Sequence, residues 1–262
     1  MNQLWFRWVL ITHLFLSLLI AGHGAHTDTS DPKAGALDSA EWIISESIKA
    51  HGGAVDWLEL SFDFRDWKYA GQFKGGLYEM SRQFKKGDSL YFDKFNNRTF
   101  MRSINHIVVE VPEKKANAYT SSINSVFYFA LLPFKLSDQA VQLRYVGKQS
   151  IAGETFYLVA VSFEKENGGE DYEDEYRYWI NAQTMQLDYF AYSYSTGKGG
   201  VRFRSVEKRH KPIEGYILQD YINYKVNKGT NLDNLVYMHQ NGKLEELSRI
   251  RLENIKIERI KK

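Results

Sequence analysis

The sequence predicts an α+β domain: a bent antiparallel β-sheet, forming a half-barrel of about ten strands, with an N-terminal helix and a mid-chain helix covering its concave face. Beyond the first helix, apolar residues mostly alternate with a period of two, in segments separated by Gly, Asn and Lys turns. Aromatic residues make up 15% of the chain and occur on both faces of several segments. This pattern indicates a sheet that packs on helices and also lines a hollow.

The first helix is predicted to begin at Asp38, where Glu41 stands three residues on, as in a capping box. Its apolar side chains share one face at helical spacing. Gly52-Gly53 ends the helix. His51 then lies at the helix C-terminus, where we expect its charged form to suit the helix dipole.

The first strand has Leu60 and Phe62 on one face, at even-numbered positions. From Trp67 onward the apolar residues stand at odd-numbered positions instead. A shift across Arg65-Asp66 predicts a β-bulge, which bends a strand. Further strands are predicted before the mid-chain helix, over residues 77–85, 89–95 and 99–111, with turns at 86–88 and 96–97.

The mid-chain helix is predicted over residues 116–134 and is stopped by Pro133. Its β-branched and aromatic residues leave a strand as the alternative. Strands then resume over 142–146, 155–163, 173–181, 186–194, 201–207, 216–226 and 247–260. The segment 155–163 is nearly all apolar, so both of its faces should be covered. A parity change predicts a second bulge near Glu253-Asn254.

The N-terminal segment predicts export. Arg7 precedes an apolar run over residues 9–21, and Gly22, Gly24 and Ala25 are small enough for a cleavage site. We expect a signal peptide over residues 1–25, a flexible leader over 26–37, and one half-barrel domain over 38–262, located in the periplasm. An uncleaved anchor is the alternative, although the run is short for a membrane span.

Composition excludes several classes of function. The chain has no cysteine, so disulfides, thiolate catalysis, cysteine-bound metal and a lipid-modified cysteine are all excluded. The net charge of +2 is too small to indicate nucleic acid as a partner.

Several short motifs have ordinary structural explanations. Gly87-Asp88-Ser89-Leu90 matches the nucleophile block of GDSL-type esterases, but Gly-Asp after two lysines is typical of a hairpin turn. The acidic run at residues 170–175 could bind Ca²⁺, yet its spacing fits a solvated turn better. Four histidines lie in the mature chain beyond the leader, and none has metal-ligand spacing from another: His51, His106, His210 and His239. We therefore expect no catalytic residue, metal or cofactor.

The order of elements resembles a known group. Ala50-His51-Gly52-Gly53 ends the first helix, residues 121–138 form the mid-chain helix, and Tyr178-Trp-Ile-Asn181 is followed by Gln186-Leu-Asp-Tyr189. This chain resembles an uncharacterised exported family of Bacteroidota. More remotely, it is similar to the periplasmic lipoprotein-carrier (LolA/LolB-like) superfamily. That resemblance implies an unclosed half-barrel with a helical lid over an apolar hollow that binds acyl chains or lipidated proteins.

The first functional hypothesis is therefore a binding protein for a lipid or a lipidated protein, a monomer with transient contacts to membrane-associated proteins. Seven aromatic residues are the candidate ligand contacts: Phe62, Phe64, Phe127, Phe129, Tyr178, Tyr189 and Tyr192. One alternative is a hydrolase using His51, Asp188, Asp220 or the acidic run. The other is a partner-binding structural module whose core is filled by its own side chains.

Overall fold

The computed structural model describes residues 39–164, 174–195 and 199–261, in which fourteen strands form two antiparallel sheets of seven. The first sheet contains β1 (Leu58–Phe64), β2 (Trp67–Lys74), β3 (Leu77–Lys86), β4 (Ser89–Asn96), β5 (Phe100–Ile104), β6 (Ile107–Val109) and, beside β1, β14 (Leu252–Arg259). The second contains, in spatial order, β7 (Val141–Ile151), β8 (Glu154–Phe163), β9 (Glu175–Asn181), β10 (Leu187–Tyr194), β11 (Gly200–Arg209), β12 (Gln219–Val226) and β13 (Glu245–Ile250).

The two sheets are joined at one corner. Only Arg251 separates β13 from β14, so the chain passes directly from one sheet to the other. At this corner the backbone N–H of Leu252 donates to Asp220 Oδ1 at 2.9 Å. The bent, unclosed antiparallel sheet predicted by the sequence is confirmed.

The structure has more strands than predicted because three predicted strands are each two strands: the first one, the segment 99–111, and the segment 247–260, which divides at Arg251 into β13 and β14. The segment 99–111 is a hairpin, with Asn105 and His106 at φ 49° and 68° in its turn. Arg65 has φ 57° in a two-residue turn between β1 and β2, so the bulge predicted there is wrong. The predicted bulge near Asn254 is confirmed, since the pairing of β1 with β14 shifts there.

Within the described residues, three α-helices accompany the sheets: α1 (Ala40–Ala50), α2 (Glu113–Ala130) and α3 (Leu235–Gln240). Ser39 caps α1, because its Oγ accepts from the N–H of Trp42 at 3.1 Å. The predicted cap Asp38, like the predicted signal peptide and leader, lies outside the described residues. The mid-chain helix is confirmed as α2. The sequence analysis missed α3.

Side chains of the second sheet form two separate cores. Along β8, Tyr157, Val159 and Val161 point between the sheets and join the main core with α1 and α2. Phe156 and Leu158 point the opposite way, into a smaller core that also contains α3. The prediction that this strand is covered on both faces is confirmed.

Helix α2 approaches the first sheet closely at Gly71. A Cβ atom on Gly71 would stand 2.8 Å from Cε1 of Phe127. The Phe127 ring lies 5.5 Å from Phe62 and 6.2 Å from Tyr69, both edge-on. A glycine here therefore makes room for the most buried aromatic residue of the helix.

A buried ion cluster ties α2 to the opposite end of the first sheet. The carboxylate of Asp93 is fully buried and accepts from Arg82 Nε and Arg102 Nη2, each at 2.8 Å. Arg82 also donates to Ser122 of α2 at 3.0 Å, and Arg102 stacks 3.8 Å over the Tyr119 ring. Bonding to Asp93 raises the pKa of Arg102. This cluster fixes the register of three strands against the helix.

The expectation that His51 carries a charge is wrong. Its ring is fully buried, and Nδ1 donates to the carbonyl oxygen of Ser47 at 2.8 Å. Burial lowers the pKa of His51 below its ordinary value, so the neutral ring is favoured. The favourable position at the helix terminus is outweighed by desolvation.

Candidate ligand-binding cleft

A cleft of about 1000 Å³ opens between the two sheets at the end where β2 meets β3. Elsewhere the hollow of the half-barrel is filled by the protein's own side chains, chiefly Phe62, Phe127, Tyr178 and Phe190. The cleft is therefore the part of the predicted hollow that the protein's own side chains leave open.

The second sheet gives the cleft an aromatic wall. Tyr176 and Tyr192 are stacked on neighbouring strands with ring centroids 5.4 Å apart. Phe163 meets Tyr176 edge-on at 5.5 Å, and Tyr194 lies 6.0 Å from Tyr192. Such rings offer wide apolar surface while the tyrosines retain a polar atom.

The C-terminal half of α2 forms a second wall. Phe129 stands 5.4 Å from Tyr192, and Tyr128 stands 6.1 Å from Tyr176. The hydroxyls of Tyr128 and Tyr178 are hydrogen-bonded at 2.8 Å. Burial raises the pKa of Tyr178 well above its usual value, so this hydroxyl stays protonated. Exposed Asn124 completes this wall toward solvent.

The first sheet contributes the third wall through Phe73, Leu77 and Tyr78. Leu77 is 65% exposed, so its apolar side chain is accessible from the cleft. Tyr78 packs edge-on against Phe95 at 5.8 Å, and burial raises its pKa.

The rim of the cleft is polar. Lys135 pairs with Asp138 at 3.1 Å and lies 5.8 Å from the centroid of the Phe73 ring. Across the cleft, the Arg202 guanidinium lies 5.3 Å from the centroid of the Tyr194 ring. Asp174, largely buried, accepts from the backbone N–H of Ser195 at 3.2 Å. An apolar wall with a charged rim suits a ligand that has both characters.

Two of the predicted ligand contacts, Phe129 and Tyr192, line the cleft. Phe62, Phe127 and Tyr178 are buried in the core behind it. Phe64 is half-buried in β1 and does not line the cleft.

Tyr189 lies on the outer face of the second sheet, where its hydroxyl accepts from Gln240 of α3 at 3.1 Å. Six aromatic residues that line the cleft were not predicted: Phe73, Tyr78, Tyr128, Phe163, Tyr176 and Tyr194.

Of the groups considered for hydrolysis, His51, Asp188 and Asp220 do not line the cleft, whereas Asp174 of the acidic run does. Asp188 pairs with Arg209, and burial raises its pKa. Asp220 bonds to His210 Nε2 at 2.8 Å at the corner between the sheets. Of the acidic run, residues 170–173 lie outside the described residues. Within the described ranges, no group of three or more His, Asp or Glu residues could hold a metal ion.

A protein-family model matches residues 79–252, about two thirds of the chain; it is a family of unknown function, DUF6503. The chain belongs to this family. No curated protein matches the chain. Among the described helices of this DUF6503 member, none is long and apolar enough to cross a membrane.

Solved structures with related folds are remote. A DUF1329 family protein from Desulfovibrio piger has 9% identity and a TM-score of 0.47, covering 84% of this chain and 93% of that one. A protein described as an outer membrane lipoprotein-sorting domain, from Vibrio parahaemolyticus, has 8% identity and a TM-score of 0.43, covering 85% and 93%. The MucA/MucB complex of Pseudomonas aeruginosa has 9% identity and a TM-score of 0.25, covering 69% and 75%.

The remote similarity to lipoprotein-sorting domains that the sequence indicated is thus found. At these identities and TM-scores, none of the three carries a function over to this chain.

Proposed function

We propose that this chain is an exported binding protein that holds an amphipathic ligand, such as a lipid or the acyl chain of a lipoprotein, in the cleft between its two sheets. The observation that carries the proposal is the open cleft of about 1000 Å³ with aromatic walls on three sides. Phe129 and Tyr192 are its central contacts, and Tyr128 and Tyr176 extend the apolar surface.

The size and surface of the cleft suit this class of ligand. Small-molecule sites in proteins usually measure about 300–1000 Å³. The lining of this cleft is about as polar as it is apolar, which matches a ligand with both characters. Each methylene removed from water contributes about 0.8 kcal/mol, so an acyl chain gains affinity without directed polar contacts. The charged rim, with Lys135 and Arg202, would stay in contact with the polar end of the ligand.

The proposed place of action is the periplasm, on the strength of the N-terminal sequence alone. The proposed partners are a lipid or a lipidated protein, with transient contact to membrane-associated proteins that deliver or receive it.

A blocking substitution tests the proposal. Asn124 and Asn117 both lie exposed on α2, but only Asn124 lines the cleft. With a fluorescently labelled dodecanoic acid as the probe, Asn124→Trp should weaken binding by about tenfold or more. Displacing about two methylenes from the apolar wall is enough for this effect. Asn117→Trp, the matched control, should bind like the unaltered protein. Fluorescence anisotropy measures both.

Equal affinity of the two tryptophan variants for the probe would place its binding outside the cleft. Failure of the unaltered protein to bind any labelled acyl chain, from short to long, would contradict the proposed function itself.

A further inference from the structure

Arg204 is a buried cation for which no described residue supplies a counter-charge. It lies on β11 of the second sheet and is only 8% exposed. Its Nη2 donates to the hydroxyl of Tyr192 at 3.1 Å, while Nε and Nη1 find no hydrogen-bond partner in the part of the chain that the structure describes. Among the described residues, no carboxylate lies within ion-pair distance of it.

Aromatic rings surround the guanidinium in place of an anion. Its central carbon lies 4.1 Å from the Phe129 ring centroid, 5.3 Å from Phe190 and 5.4 Å from Tyr192. Cation–π contacts of this kind stabilise the charge by less than its desolvation costs. Burial accordingly lowers the pKa of Arg204. The site would be stabilised by an incoming anion.

The position of Arg204 connects it to the cleft. Phe129 and Tyr192, which contact its guanidinium, both line the cleft, and so does Arg202, two residues earlier on the same face of β11. Phe129 lines the cleft, and its ring packs against the guanidinium. Rotation of this half-buried ring would expose it.

We propose that Arg204, together with Arg202, binds the carboxylate or phosphate headgroup of the ligand, so that the cleft selects anionic amphiphiles over neutral ones. This inference rests on the proposed function and specifies its ligand class. Guanidinium groups match both headgroups, because they donate paired N–H groups to planar or tetrahedral oxyanions.

The test compares four competitors against the labelled dodecanoic acid: dodecanoate, dodecyl phosphate, dodecanol and inorganic phosphate. The unaltered protein should bind the two charged amphiphiles about tenfold or more tightly than dodecanol, the gain expected of a charge-assisted hydrogen bond. Arg204→Met should erase this preference, because it should weaken the binding of the two charged amphiphiles much more than that of dodecanol. Arg144→Gln, an exposed arginine on β7, is the control and should keep the preference.

Thermal unfolding of the ligand-free proteins supplies a second readout. Since replacing an uncompensated buried charge by an apolar side chain is neutral or stabilising, Arg204→Met should keep or raise the Tm. A lowered Tm with the anion preference intact would make Arg204 a structural residue and overturn the inference. Should Arg204→Met fail to fold, Arg202→Gln on the cleft wall must reduce the preference.

The remaining outcomes separate the two proposals. Equal affinity for dodecanoate and dodecanol overturns the anion preference and leaves the cleft as a binding site. Displacement by inorganic phosphate as effectively as by dodecyl phosphate assigns the site to a free anion and contradicts the inference. Absence of binding by every amphiphile contradicts the proposed function.

Discussion

At the scale of single residues, burial decides the behaviour of titratable side chains in this fold. The sequence places His51 correctly at the end of a helix, but it gives no measure of how deeply the ring is buried. The position favours a charged ring, whereas the structure lowers its pKa through desolvation.

His51 should therefore make stability depend on pH. Its ordinary pKa is 6.5 and its folded pKa is lower, so the unfolded chain binds the proton more readily. The stabilisation is complete above pH 6.5 and is lost as the pH falls through the folded pKa. Urea unfolding at about pH 7.5 and about pH 5 should show a smaller loss on acidification for His51→Gln than for the unaltered protein.

Other titrating groups change the stability of both proteins by the same amount, so their contributions cancel when the two losses of stability are compared. The pKa of His239 is lowered by burial and acts in the same direction, while the raised pKa of Asp188 acts in the opposite one. If His51→Gln lost as much stability on acidification as the unaltered protein, a neutral buried His51 would be excluded.

The candidate site shows the same limit of sequence reasoning. Tyr189 and Tyr192 are three residues apart on β10, so their side chains point to opposite faces of the sheet. A register shift near residue 188 determines which of the two faces inward. Tyr176 shares its face with Tyr178 by strand periodicity, so it could have been found from the sequence. The sequence places Tyr128 and Phe129 on one helix. Which face of that helix borders the cleft depends on how the helix packs against the sheets.

At the scale of elements, the sequence predicted helices and turns correctly where one unambiguous local pattern marked them. The apolar run ending at Pro133 predicted α2, and Gly87-Asp88 correctly marked the turn between β3 and β4. Arg65-Asp66 was mistaken for a bulge because a two-residue turn and a bulge produce similar changes of parity. Helix α3 was missed because its six residues are too few for a clear helical period.

The docking of α2 depends on Gly71. A methyl group there would overlap the Phe127 ring, so Gly71→Ala should lower the free energy of unfolding by about 1–3 kcal/mol. Ala70→Ser, at the exposed neighbouring position, should change it little. Chemical denaturation measures both variants.

A double-mutant cycle identifies the cause. Phe127→Leu removes the atoms that the new methyl group would meet, so the double variant should be less destabilised than the sum of the single changes. Strict additivity would show that Gly71 is required for some reason other than the approach of α2.

At the scale of the whole molecule, function depends on how completely the bent sheet is filled. The fold class could be predicted because strand periodicity, turn residues and two helical segments all indicated the same architecture. The position of the open cleft could not be predicted, since it depends on which inward-facing aromatic residues pack into the core and which remain accessible. Most of them form the core, and the remainder line a cleft at one end.

The central claim is that an amphipathic ligand occupies this cleft, and photolabelling tests it most directly. Dodecanoic acid carrying a terminal diazirine is bound, irradiated and located by peptide mass spectrometry. The account predicts labels on the C-terminal half of α2 and on the inner faces of β9 and β10, with competition by unlabelled dodecanoate. Labels confined to the polar outer face of the first sheet, around Ser61 and Lys256, would contradict it.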